Sequence, residues 1–182
     1  MTTKRIVICT GGKLGEWVNH WLRPEDQLVG ADRGAIYLVN QGYELDLAIG
    51  DFDSVTPEEL KQINENSRLV QSCDPVNKNV TDTEMAFEWA LSEGTDEILL
   101  LGATGTRLDH SLANIHLLLK GLNEGIPCKI IDEFNEITCV RDRLDIQKRS
   151  HYSYVSLLPM SLEVHGITLH GYQYPLHDAS LY

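Results

Sequence analysis

The stretch DLAIGDFDSVTPEEL, residues 46–60, contains one whole strand-to-helix transition. A short apolar run ends at Gly50, two aspartates (Asp51 and Asp53) stand either side of Phe52, and Thr56-Pro57-Glu58-Glu59 follows as a helix start. A buried strand that runs directly into a helix is the building unit of a parallel sheet, because parallel neighbours need a crossover connection. The fold class therefore turns on whether this unit repeats.

It repeats in both directions. Upstream, residues 4–9 form an apolar, β-branched run closed by TGGKLG (10–15), and DQLVGAD (26–32) leads into the helical pattern RGAIYLVNQG (33–42), ended by Gly42. Downstream, the helix TPEELKQINEN (56–66) precedes a strand RLVQS (68–72). TDTEMAFEWALSEG (81–94) opens with Thr81 and Glu84 at capping-box spacing and stops at Gly94, and EILLLG (97–102) is a fifth strand. From Leu108 the apolar residues Leu108, Leu112, Ile115, Leu119 and Leu122 step by three and four, which predicts a long amphipathic helix with that stripe inward. The expected fold is α/β, a Rossmann-like parallel sheet with helices on both faces. After GIPCKIID (125–132) the rhythm changes to the short strand-like runs EITCVRD, RLDIQKRS, YSYVSLLP and LEVHGITLHG. Two domains are expected: residues 1–130, α/β, and residues 131–182, a small antiparallel β domain that reads as incomplete.

Composition narrows the function. The 182 residues carry a formal net charge of −12 with 42% hydrophobic residues, enough for a core. A pI near 4.9 argues against a general nucleic-acid binder and suits a protein that holds Mg²⁺ through carboxylates. No apolar run reaches the roughly 18–20 residues of a membrane span, and the N-terminus reads as a first strand rather than a signal peptide. Cys9, Cys73, Cys128 and Cys139 show neither C-x-x-C pairing nor zinc spacing, as expected of reduced thiols in a cytoplasmic protein.

In an open α/β sheet, ligands bind beyond the carboxyl ends of the strands. Asp32 closes the second expected strand, Asp51 and Asp53 follow the third, Asp82 begins the helix after the fourth, and Asp109 follows the fifth. Carboxylates gathered on one rim repel and raise one another's pKa unless a cation lies among them, and Mg²⁺ favours two or three carboxylates together with phosphate oxygens. Singly, each acid has an ordinary reading as a turn, cap or helix-dipole residue; the set carries the inference. LGATGTRLDHS (101–111) adds a receptor for an anion: Gly102 and Gly105 let backbone N–H groups turn outward at a helix start, and Arg107 supplies a cation with bidentate geometry, or else pairs with a nearby Asp. His110 is either a substrate contact or an ordinary helix N-terminal residue. TGGKLG lacks the Walker spacing and counts for little.

GADRGA, IGDFDSV, NKNVTDTEMAF and GATGTRLDHSLANI, in this order and spacing, resemble the bacterial thiamine pyrophosphokinase (thiamine diphosphokinase) family, and HGYQYPL (170–176) resembles the start of that family's later β segment. The resemblance implies an α/β catalytic domain, a C-terminal β-sandwich domain that binds thiamine and pairs subunits, and a homodimer. It implies transfer of the diphosphoryl group of ATP to the hydroxyl of thiamine, releasing AMP. On this chain Asp51, Asp53 and Asp82 would bind Mg²⁺ and the polyphosphate, with Asp32 lining the same cleft. Lys78, Thr81, Gly102, Thr104, Arg107, Asp109 and His110 would complete the nucleotide and phosphate contacts. Three departures stand out: Asn79 where the family has an acid, Thr106 where it has glycine, and further strands with a Ser-Asn segment that family members carry beyond the position of Tyr182. The expectation is that nucleotide and metal residues are present and the thiamine subsite is incomplete.

Two other readings compete. DFDSV also fits the Asp-x-Asp-x-Val of haloacid dehalogenase-type phosphatases, with Asp51 as nucleophile and Asp53 as general acid. Its place on the third strand, without a later acidic pair, counts against that. A non-catalytic nucleotide or thiamine diphosphate binder is the other; release of AMP rather than inorganic phosphate separates kinase from phosphatase, and retained ATP binding without turnover marks the binder.

Overall fold

The computed structural model describes residues 3–72 and 80–182. Lys78, Asn79 and Cys73 lie outside the described residues. The chain divides into two compact units, Met1–Ile146 and Gln147–Tyr182.

In the first unit, strands β1 (Arg5–Cys9), β2 (Gln27–Ala31), β3 (Leu45–Gly50), β4 (Ser67–Ser72), β5 (Glu97–Leu101), β6 (Cys128–Ile131) and β7 (Glu136–Thr138) form one sheet in the order β4-β3-β2-β1-β5-β6-β7. The first six are parallel; β7 pairs antiparallel with β6. The strand expected to begin the antiparallel domain, in EITCVRD, is thus the edge of the α/β sheet. A turn closed by Asp132 brings it there: Asp132 Oδ1 accepts the N–H groups of Phe134 (2.8 Å) and Asn135 (2.7 Å).

Helices α1 (Arg33–Asn40), α2 (Pro57–Glu65), α3 (Asp82–Ser92) and α4 (Leu108–Asn123) cover the two faces. Side chains alternate along the strands, so Ile6 and Ile8 pack with Phe87 and Leu118 on the α3–α4 face while Val7 and Cys9 pack with Leu38 and Ile63 on the α1–α2 face. The helix start read in TPEE forms as a full capping box: Glu59 N–H donates to Thr56 Oγ1 (3.2 Å) and Thr56 N–H to the Glu59 carboxylate (2.7 Å). A 3-10 turn at Glu16–His20, not foreseen, follows β1. At the amino ends of the strands Arg5 and Asp26 form a buried bidentate ion pair (2.7 and 2.6 Å).

The inward face of α4 differs from the expected one in its first turns, while Ile115 of the expected stripe does pack against the core. Leu108 and Leu112 are exposed, and the buried residues are Asn114, Leu117, Leu118 and Gly121. Gly121 is there because β6 approaches closely: a Cβ on it would lie 2.2 Å from Cys128 Sγ.

The second unit holds one antiparallel pair, β8 (Val164–Leu169) and β9 (Leu176–Leu181). β8 is the strand read in LEVHGITLHG. β9 falls in a tail with no such expectation, while RLDIQKRS and YSYVSLLP carry no strand.

Candidate active site

The parallel strands share one direction, so the sequence order of strands in space decides where a ligand fits. β1 is flanked by β2 and β5, and the connections leave it in opposite directions, which opens a crevice beyond the carboxyl ends at that switch point. Two groups of residues stand on this rim.

The first is acidic. Asp32 follows β2 directly at positive φ (φ +49°, ψ −120°), held by its N–H to the Ile49 carbonyl (3.0 Å) and by its own carbonyl, which accepts from Ala35 (3.0 Å). α1 can begin this close to β1 only because residue 34 is glycine; a Cβ there would sit 1.9 Å from the Cys9 carbonyl oxygen. Phe52, also at positive φ (+55°), is buried in the α1–α2 core, and this anchor sets Asp51 and Asp53 on either side of it. Asp53 N–H donates to Asp51 Oδ1 (3.2 Å). Asp82 is the first residue of α3, whose N-cap Thr81 accepts the Glu84 N–H (3.1 Å).

One carboxylate oxygen each of Asp32, Asp51 and Asp82 lies within 4.8 Å of the other two. Burial, then a hydrogen bond to Asp82 and the charges of Asp82 and Asp51, push the Asp32 carboxyl up to about 7; the Phe52 N–H pulls weakly the other way. Asp32 Oδ1 is buried without a hydrogen-bond partner and packs against Gly50, where a Cβ would come within 2.1 Å. Asp53 stands outside this trio and is exposed.

The second group is the loop after β5. Gly102 (φ +71°) turns the chain outward. Thr104 Oγ1 donates to Asp132 Oδ2 (2.9 Å), and Gly105 N–H to Ser111 Oγ (3.2 Å). Arg107 and Asp109, both exposed, bond each other through two contacts (2.6 and 3.3 Å), so the local ion pair is the arrangement present. The pair holds the Asp109 carboxyl low, at about 2. His110 is exposed in the first turn of α4.

Residues not foreseen also shape the rim. Arg33 Nη1 donates to the Ser54 carbonyl (3.0 Å), linking the loops after β2 and β3; an arginine at a helix's first position, where the dipole disfavours cations, was the available signal. Thr10 and Asn114 are buried polar residues bonded to the loop after β5, and only the polarity of Asn114 within an apolar helix hinted at it.

Comparison with known proteins identifies the family. Residues 18–130 match the family model described as thiamin pyrophosphokinase, catalytic domain, and residues 141–182 match the thiamin pyrophosphokinase, vitamin B1 binding domain. The chain is 36% identical over 154 residues to a thiamine pyrophosphokinase of Bacillus subtilis, covering 84% of this chain and 72% of that protein. A thiamine pyrophosphokinase crystal structure from Bacillus subtilis superposes with a TM-score of 0.88 at 34% identity, over 98% of this chain and 84% of that one. One from Geobacillus thermodenitrificans gives 0.85 at 33%, over 97% and 82%. Four ordered sequence motifs, the rim they build and two matching family models lead to the same place: the chain belongs to the thiamin pyrophosphokinase family.

Proposed function

We propose that Asp32, Asp51 and Asp82 hold Mg²⁺ beside the polyphosphate of ATP, and that this rim is where the family's diphosphoryl transfer to thiamine takes place. The observation that carries this is the trio itself: three hard oxygen donors within 4.8 Å of one another, one of them with a buried oxygen that has no hydrogen-bond partner. Such a set is strained by its own charge without a cation and matches the carboxylate-plus-phosphate coordination that Mg²⁺ prefers. The ion, when bound, neutralises charge that builds on the moving phosphoryl groups.

In the reaction the hydroxyethyl oxygen of thiamine bonds to the β-phosphorus of ATP, and the bond from that phosphorus to the α,β-bridging oxygen breaks. AMP leaves with the bridging oxygen. The hydroxyl proton passes to a rim aspartate, Asp53 being the exposed one at the mouth of β3. The loop Gly102–Gly105 offers backbone N–H groups to the phosphates, and Arg107 exchanges Asp109 for a phosphate oxygen in the same bidentate geometry. Lys78 and His110 belong to the nucleotide contacts that the family resemblance implies. The acidic rim also attracts the cationic thiazolium ring.

We further infer a homodimer. Support comes from the second unit, where the large apolar or aromatic side chains of Tyr154, Leu158, Leu162 and Tyr182 expose 83–95% of their surface, which suits residues that a partner subunit covers. The described cysteines Cys9, Cys128 and Cys139 carry no disulfide, which suits a cytoplasmic enzyme. No helix among the described residues is long and apolar enough to cross a membrane.

The test is thiamine diphosphate formation against Mg²⁺ concentration. Asp51→Asn is expected to shift the half-saturating Mg²⁺ at least tenfold upward or abolish turnover, and an unchanged Mg²⁺ curve would overturn the metal assignment.

A further inference from the structure

Two successive carbonyls of the loop after β5 are held by hydrogen bonds from different parts of the fold, the turn after β1 and helix α4. The Thr10 hydroxyl, just past β1, donates to the Gly102 carbonyl (2.5 Å). The Asn114 amide, in the second turn of α4, donates to the Ala103 carbonyl (2.8 Å). Gly12 lies against the same strip: a Cβ on it would come 2.0 Å from the Gly102 oxygen and 2.7 Å from the Thr104 oxygen. Thr10 and Asn114 are both buried, at 4% and 7% exposure, so both bonds are shielded from water.

In a trans peptide the C=O of one residue and the N–H of the next point in opposite directions, and no described peptide bond is cis. Pinning the Gly102 and Ala103 carbonyls therefore fixes the N–H groups of Ala103 and Thr104 pointing away from Thr10 and Asn114. Successive N–H groups beside a left-handed residue such as Gly102 (φ +71°) are the makings of an anion-binding concavity, and one set before the ligand arrives loses no freedom on binding. We propose that Thr10 and Asn114 are positioning residues for the nucleotide: they orient the Gly102–Ala103 and Ala103–Thr104 peptide planes so that the Ala103 and Thr104 N–H groups receive polyphosphate oxygens. This rests on the reading above that ATP lays its phosphates on this loop. It gives the TGGKLG turn, which has no Walker spacing, a role exerted through its neighbour.

The experiment is Mg-ATP binding by calorimetry on the whole chain, without thiamine, for wild type, Thr10→Val and Thr10→Ser. Valine keeps the shape and removes the donor; serine keeps the donor. Thr10→Val is expected to weaken Mg-ATP about tenfold, the factor for one directed hydrogen bond of about 1.4 kcal/mol. Thr10→Ser should restore affinity to within about threefold. A purely structural role would lower the melting temperature of Thr10→Val and leave the dissociation constant where it was, overturning the proposal. Should Thr10→Val not fold, the wild-type amide resonances of Ala103 and Thr104 decide: both shift on adding Mg-ATP if the proposal holds, and unshifted resonances in a protein that binds Mg-ATP overturn it. Wild type that binds no Mg-ATP would overturn the functional reading as well, which separates the two failures.

Discussion

Asp32→Asn should make the metal-free protein more stable above pH 7 while removing its activity. The carboxyl of Asp32 is raised from 3.8 to about 7, chiefly by burial and then by Asp82 and Asp51. A raised carboxyl pKa means that between pH 4 and 7 the native state binds more protons than the unfolded state, so stability falls as pH rises through that window. The full displacement corresponds to roughly 4 kcal/mol at about 1.4 kcal/mol per pH unit, and solvent screening of this partly exposed group reduces it to about 1–2 kcal/mol. Asparagine keeps the shape: one amide atom takes the place against Gly50, and its NH₂ can donate to the Asp82 carboxylate. The assay is thermal unfolding of wild type and Asp32→Asn in chelator from pH 4 to 8. The curves should coincide near pH 4 and separate to a gain of about 2–8 °C for the variant at pH 8, using about 2–4 °C per kcal/mol for a chain of this size. Millimolar Mg²⁺ should close the gap by stabilising wild type alone. A gain independent of pH, or a variant less stable at pH 8 than wild type, would mean that the Asp32 charge does not destabilise the native state.

Gly50→Ala places a Cβ 2.1 Å from Asp32 Oδ1; the carboxyl must move, and kcat/KM for ATP should fall about 100-fold, read in the same turnover assay. Arg5→Met breaks the buried pair with Asp26 at the opposite end of the strands; unfolding should show a loss of about 3–5 kcal/mol with KM for ATP unchanged. Arg107→Lys keeps the charge and loses the fork, so KM for ATP should rise about tenfold, whereas an unchanged KM would remove Arg107 from the phosphate contacts. Cys9 is fully buried with its thiol pushed up to about 12; native protein at pH 8 should leave it unlabelled by maleimide in peptide mapping, and labelling at the rate of a free thiol would contradict the packing.

What was legible in the sequence was what local chemistry dictates. The β-branched runs, the Thr56-Glu59 capping box and the glycine stops at Gly42 and Gly94 act within a few residues, and five of the six parallel strands follow from them; the sixth, Cys128–Ile131, lies where only a change of rhythm was legible. The acids also followed, since each immediately succeeds a strand or opens a helix. The inward face of α4 did not. Counting apolar residues favoured Leu108 and Leu112, but Asn114 is buried through its bond to the Ala103 carbonyl and Gly121 through the closeness of Cys128, and both depend on a neighbour remote in sequence. β7 pairs where the Asp132 turn sends it, so a strand-like run close to a change of rhythm joined the earlier sheet. Within the site, Asp32 enters the close trio and Asp53 does not, because the buried Phe52 fixes which way the intervening loop turns. Alternation in DFD marks two acids without telling which one points at the cluster.

Diphosphoryl transfer on this rim is tested by AMP release from Mg-ATP by the 182-residue chain, with and without thiamine. AMP is expected to form only with both Mg²⁺ and thiamine present, with an equal amount of thiamine diphosphate. AMP that forms equally well without thiamine, orthophosphate in its place, or no turnover despite bound Mg-ATP would contradict that transfer.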